Sequence, residues 1–172
     1  MCMSKIKSTN IINNREKLDK DIKRMWGIIR TENLIDKGAK RNYDMKALLN
    51  NIFSMANERI QTKLDSLCIN LGYTTRADFP KDSIYPIIYT LSEKNEQYVH
   101  LEIILKTATI NPTLKTKLGK KKLSKSEELT SDFIKKSMTN LQLEINNLKK
   151  KLEDYNSKAE LDISKNYLYL VS

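Results

Sequence analysis

The sequence predicts a mostly α-helical chain, an up-down bundle of four long helices, the last with coiled-coil heptads, followed by a short C-terminal β-hairpin. Three observations carry this expectation. The 172 residues include only four Gly and three Pro, too few for the turn at roughly every 8 to 12 residues that an all-β sandwich needs. Apolar residues recur at gaps of three and four over long stretches, the spacing that lines up one face of a helix. Apolar content of 40% beside 30% charged residues is too high for a disordered chain. The length fits a single domain. Within it, 1–8 are expected as a flexible N-terminus, 109–126 as a basic loop and 158–172 as the hairpin.

The first helix is expected over about residues 9 to 33, on the apolar series Ile11, Leu18, Ile22, Met25 and Ile29. Ser8 and Thr9 are its candidate N-caps, since a hydroxyl can accept from the unpaired N–H groups of a first turn. The second series, Met45, Leu48, Ile52, Met55, Ile60, Leu64, Leu67 and Leu71, predicts a helix over about 44 to 71. Gly72 ends it, because glycine takes the left-handed conformation common just past a helix. Asp82 or Ser83 is expected to cap a third helix to about residue 108, built on Ile84, Ile87, Ile88, Leu91, Tyr98, Leu101 and Leu105. Pro86 is tolerated in its first turn, and Asn111-Pro112 stops it.

The fourth helix has the most regular pattern. Ile134, Met138, Leu141, Ile145, Leu148, Leu152 and Tyr155 alternate gaps of four and three over three heptads. With Met138, Ile145 and Leu152 at a positions and the others at d, flanked by Glu144 and Lys149, the stripe suits a two-stranded coiled coil and a homo-oligomer interface. It equally suits packing inside one chain, because bundles use the same spacing. Beyond it, Ala159, Leu161 and Ile163, then Leu168 and Leu170, alternate with polar residues as strands do, with Ser164-Lys165-Asn166 as the turn.

Signals for catalysis are missing. His100 is the one histidine, and Cys2 and Cys68 are the only cysteines, so neither a zinc cluster nor a disulfide framework is expected. The phosphate-cradle, metal and nucleophile-elbow motifs are absent. Glu127-Glu128 has a simpler explanation, since carboxylates suit a helix start. No apolar run is long enough to span a membrane, Ile84 to Leu91 being the richest, and polar residues follow Lys5 and Lys7 where a secretory signal has its apolar segment. The expectation is a cytoplasmic, non-enzymatic protein with no cofactor, no metal and no membrane partner.

A net charge of +10 attracts phosphates, nucleic acid or anionic lipid, although a Lys-rich, AT-rich genome would also produce it. Two clusters concentrate the charge. Lys115, Lys117, Lys120, Lys121, Lys122 and Lys125 fall within eleven residues with no acid among them, and Lys37, Lys40 and Arg41 form the second. An up-down bundle brings both connections to one end. With Tyr43 available to stack and helix N-termini nearby, that end would suit an anionic ligand, a nucleotide or a nucleic acid. The plainer alternative is a solvated lysine loop.

The order of elements resembles a bacterial family labelled septicolysin-like. The likeness rests on Tyr43-Asp44-Met45-Lys46-Ala47-Leu48 opening the second helix and Ile84-Tyr85-Pro86-Ile87-Ile88-Tyr89-Thr90-Leu91-Ser92-Glu93 opening the third. Leu148-Lys149-Lys150-Lys151-Leu152-Glu153-Asp154-Tyr155-Asn156 leading to Ala159-Glu160-Leu161 completes it. The resemblance implies a helical bundle of bacteria and their phages and supplies no catalytic residues, and the Lys115 to Lys125 loop departs from it. The expected function is therefore an oligomeric anion binder, in one form a phage or mobile-element anti-defence sponge that sequesters a nucleotide signal. The alternative is a coiled-coil accessory factor binding nucleic acid or protein.

Overall fold

A computed structural model describes residues 7–33, 42–110 and 129–160. The expected N-terminal segment up to residue 6, the 34–41 and 111–128 connections, and nearly all of the hairpin, from Leu161 on, lie outside the described residues. Within them the chain forms four long helices: α1 (Ser8–Glu32), α2 (Met45–Asn70), α3 (Tyr85–Ile110) and α4 (Ser131–Asn156), with a 3-10 turn at Arg76–Asp78. A four-helix bundle is what the amphipathic stripes dictate, since each must cover its apolar face with another.

Neighbouring helices run antiparallel. Early in α1, Asn14 bonds Glu58 and Asp19 bonds Arg59, both in the second half of α2. Lys63 of α2 meets Glu93 of α3, and Lys94 of α3 meets Glu144 of α4. The α1–α2 and α3–α4 pairs make the most extensive packing, with α2 against α3 joining the two halves. One apolar cluster runs through all four helices: Ile22, Trp26 and Ile29, then Met45, Leu49 and Ile52, then Leu101 and Ile104, then Ile134 and Leu141, with Leu129 beside them.

The helix ends follow local chemistry. α1 begins at Ser8 with Lys7 in the capping position and no side-chain cap bond. The expected caps Ser8 and Thr9 are thus the first residues inside the helix, where a hydroxyl no longer reaches the free N–H groups ahead of it. Asp44 caps α2, accepting from Lys46 and Ala47 N–H at 2.9 and 3.1 Å. Gly72 closes α2 at φ +79°. Its N–H donates to Ile69 O and the Tyr73 N–H to Cys68 O, the paired bonds of a Schellman ending. The next connection is fastened back to α2 by Arg76, whose guanidinium donates twice to Asp65 at 2.7 Å. Ser83 Oγ accepts from Tyr85 N–H as α3 begins.

Several core assignments shift by a residue: Ala56, Cys68 and Ile104 are buried in place of Met55, Leu67 and Leu105, while Leu71 and Ile88 of the expected stripes are exposed. Trp26 and Leu49 take the fully buried places, while Met25 and Leu48 are only half-buried beside the cluster. The faces of α1 and α2 are each turned slightly from the expected stripe.

Candidate anion-binding end and the polar core beneath it

At the end where α1 stops, α2 starts, α3 stops and α4 starts, Asn33 ties the two halves of the chain together. Asn33, 2% exposed, donates from Nδ2 to Leu129 O at 3.1 Å and accepts from Leu129 N–H at Oδ1 at 2.8 Å. A single amide therefore satisfies both backbone groups of the residue at which the chain re-enters the bundle. The last described residue before 34–41 is thus bonded to the first after 111–128. Met45, Ile104 and Ile134 pack in the cluster beneath it.

Lys37, Lys40, Arg41, Lys115, Lys117, Lys120, Lys121, Lys122 and Lys125 belong to these two connections and lie outside the described residues. Tyr43 is described and is 45% exposed at this end, open to stack on a ligand. Neither helix N-terminus here is an open anion cradle. The Asp44 carboxylate occupies that of α2, and Thr130 Oγ1 accepts from Phe133 N–H at 3.2 Å at that of α4. The structure adds basic residues the periodicity did not single out: Arg30 in the last turn of α1, Lys46 above the Phe133 ring at 5.4 Å, and the exposed Lys135 and Lys136.

The α4 stripe divides along its length. Ile134, Leu141 and Ile145 are buried within this chain and Met138 is packed against the cluster. Those four positions of the expected oligomer interface are used intramolecularly, because α3 lies against α4. Leu148 and Leu152 are half-buried and Tyr155 is 39% exposed, so the stripe emerges toward the far end.

Halfway down the bundle lies a charged core that the apolar periodicity did not reveal. Arg59 continues the buried α2 face of Ile52 and Ala56. It donates to Asp19 of α1 at 2.9 Å and to Glu96 of α3 at 2.6 Å, with two bonds to the buried Glu93 carboxylate. Lys63 Nζ reaches the other Glu93 oxygen at 2.9 Å. Burial works against the Arg59 charge, yet its bonds to Glu93 and Asp19 outweigh it and hold the guanidinium above its usual range.

One and two turns along α3, Gln97 Oε1 and His100 Nδ1 are buried with no hydrogen-bond partner among the described residues. The His100 ring stacks on Trp26 at 4.6 Å. Burial, and then the nearby Arg30 charge, push its pKa below the ordinary histidine value. Among the described residues no group of three or more His, Cys, Asp or Glu is placed to hold a metal ion, and no helix is long and apolar enough to cross a membrane. No family model, curated protein or solved structure matches the chain.

Proposed function

We propose that this protein is a non-enzymatic binder of phosphate-bearing anions, acting through the basic end of the bundle. The observation that supports it most is the Asn33–Leu129 junction, which starts one basic connection where the other finishes. In sequence Lys37, Lys40 and Arg41 follow Asn33 and the Lys115 to Lys125 segment precedes Leu129, and the exposed Tyr43, Lys135 and Lys136 lie at the same end of the bundle. Because both helix N-termini are already capped, attraction at this end rests on lysine and arginine charges and on stacking. That combination suits an extended polyanion such as single-stranded nucleic acid better than one phosphate held on backbone amides. A nucleotide sequestered without turnover, as in an anti-defence sponge, is the rival form of the same chemistry.

The test is to titrate the full chain with a single-stranded oligonucleotide and with ATP at two salt concentrations. Converting Lys40 and Arg41 to Glu, or Lys120, Lys121 and Lys122 to Glu, should each weaken oligonucleotide binding, and the combination should depart from additivity because the groups share a ligand. The logarithmic salt slope should become shallower by about 0.7 for each cation that no longer neutralises a phosphate of the single strand. Tight, nearly salt-independent ATP binding would select the nucleotide form. Undiminished affinity for both ligands in every variant would refute the site.

A further inference from the structure

α3 is apolar on two faces. One holds Leu101 and Ile104 in the core. On the other, Tyr85, Ile88, Ser92, Asn95, Val99 and Ile103 follow gaps of 3, 4, 3, 4 and 4, the spacing of a helical seam, and all six are exposed or half-exposed. The four large apolar residues are open by 40%, 39%, 49% and 37% in that order. A second apolar stripe left open on a helix is a surface that a partner can cover. This seam runs about 27 Å along the helix. It carries no charge on a chain of which 30% is charged and whose net charge is +10. Three residues past Ile103 the same face continues into the exposed Lys106, which is paired with Glu102 at 3.0 Å.

We propose that this face is the surface on which a second copy of the chain docks, α3 against α3 and antiparallel, about a two-fold axis between Ser92 and Asn95. The seam reads nearly the same in both directions. Aligned head to tail, Tyr85 falls opposite Ile103 of the second copy, Ile88 opposite Val99, and Ser92 opposite Asn95, all within a residue of one register. That is the self-complementarity an isologous two-fold contact requires. The short side chains of Ser92 and Asn95 sit at the crossing, where two helices come closest.

Charge selects both the occupant and the direction. Two copies at +10 repel through any lysine-bearing face, whereas the six seam residues bring no charge to the contact and Lys106 just beyond them is already paired with Glu102. Parallel pairing would align both basic ends, because α3 finishes at that end. Antiparallel pairing places them at opposite poles. A contact along one helix seam is small, so the dimer is a weak and reversible one rather than obligate.

Sedimentation equilibrium on the full chain tests this. The expected result is a monomer–dimer equilibrium that Val99→Glu or Ile88→Lys shifts toward monomer, raising the dissociation constant about tenfold or more through burial of an unpaired charge. Both positions are exposed, and an unchanged circular dichroism spectrum verifies the fold. Mixing the two variants should restore association, because the antiparallel register sets the new carboxylate of one copy against the new ammonium of the other. The proposal is overturned by a chain that stays monomeric into the hundreds of micromolar, with or without affinity for neutral phospholipid vesicles. Dimerisation that neither variant disturbs overturns it as well, and mixing that fails to restore association overturns the antiparallel register.

Discussion

At the scale of single residues, the molecule depends on polar groups placed among apolar ones. Arg59 and Glu93 each have less than a tenth of their side chain exposed, so removing Glu93 strips the buried guanidinium of its one buried counter-charge and leaves it only the more exposed Asp19 and Glu96. Glu93→Gln should cost about 3 to 5 kcal/mol in denaturant unfolding, whereas Arg59→Met with Glu93→Met should recover much of that loss. His100 makes a second prediction. Its folded-state pKa lies below the ordinary 6.5, so the unfolded chain takes up the proton more readily than the folded one. Its contribution to stability is complete above about pH 6.5 and is lost as pH falls below it toward the depressed value. The melting temperature should therefore drop between about pH 7 and pH 5, and His100→Phe should flatten part of that fall. Trp26 is the only tryptophan, and its fluorescence should follow the titration directly because the rings are stacked.

At the scale of elements, most of the helix plan was legible in the apolar spacing. Gly72 announced the end of α2, and replacing it with Ala should cost about 1 to 2 kcal/mol, since at φ +79° a Cβ meets its own carbonyl oxygen. The charged core was not legible. Arg59, Glu93 and Gln97 occupy buried positions where a period count expects apolar residues, and only the mutual approach of α1, α2 and α3 shows that Arg59 and Glu93 satisfy one another. The α4 stripe was legible as a stripe but not as to its partner, because the same heptads serve a coiled coil and a bundle. Its division makes a graded prediction. Leu141→Ala should destabilise by about 2 to 5 kcal/mol through a buried cavity, and Leu152→Ala, on the half-exposed part, by clearly less. Thermal unfolding of the two variants side by side measures the difference.

For the whole molecule, the candidate site could be read in the sequence only as charge clusters, expected at one end from counting helices and lying outside the described residues. The covered N-termini were hidden, since a carboxylate or hydroxyl cap is recognised only once the first helical residue is known. The Asn33–Leu129 junction was equally hidden: it joins residues 96 apart in the chain, and no local pattern records such a pairing. That junction also bears on the order in which the structure is built. α1 with α2, and α3 with α4, are local hairpins that can form early, while bonding residue 33 to residue 129 requires closing a long loop and comes after both have docked. Asn33→Ala should consequently leave the refolding rate nearly unchanged and speed unfolding, a φ-value near zero by stopped-flow. The bond beneath the basic end then acts as a latch on lifetime. It sets how long the two hairpins stay together once assembled, and hardly at all how fast they find each other.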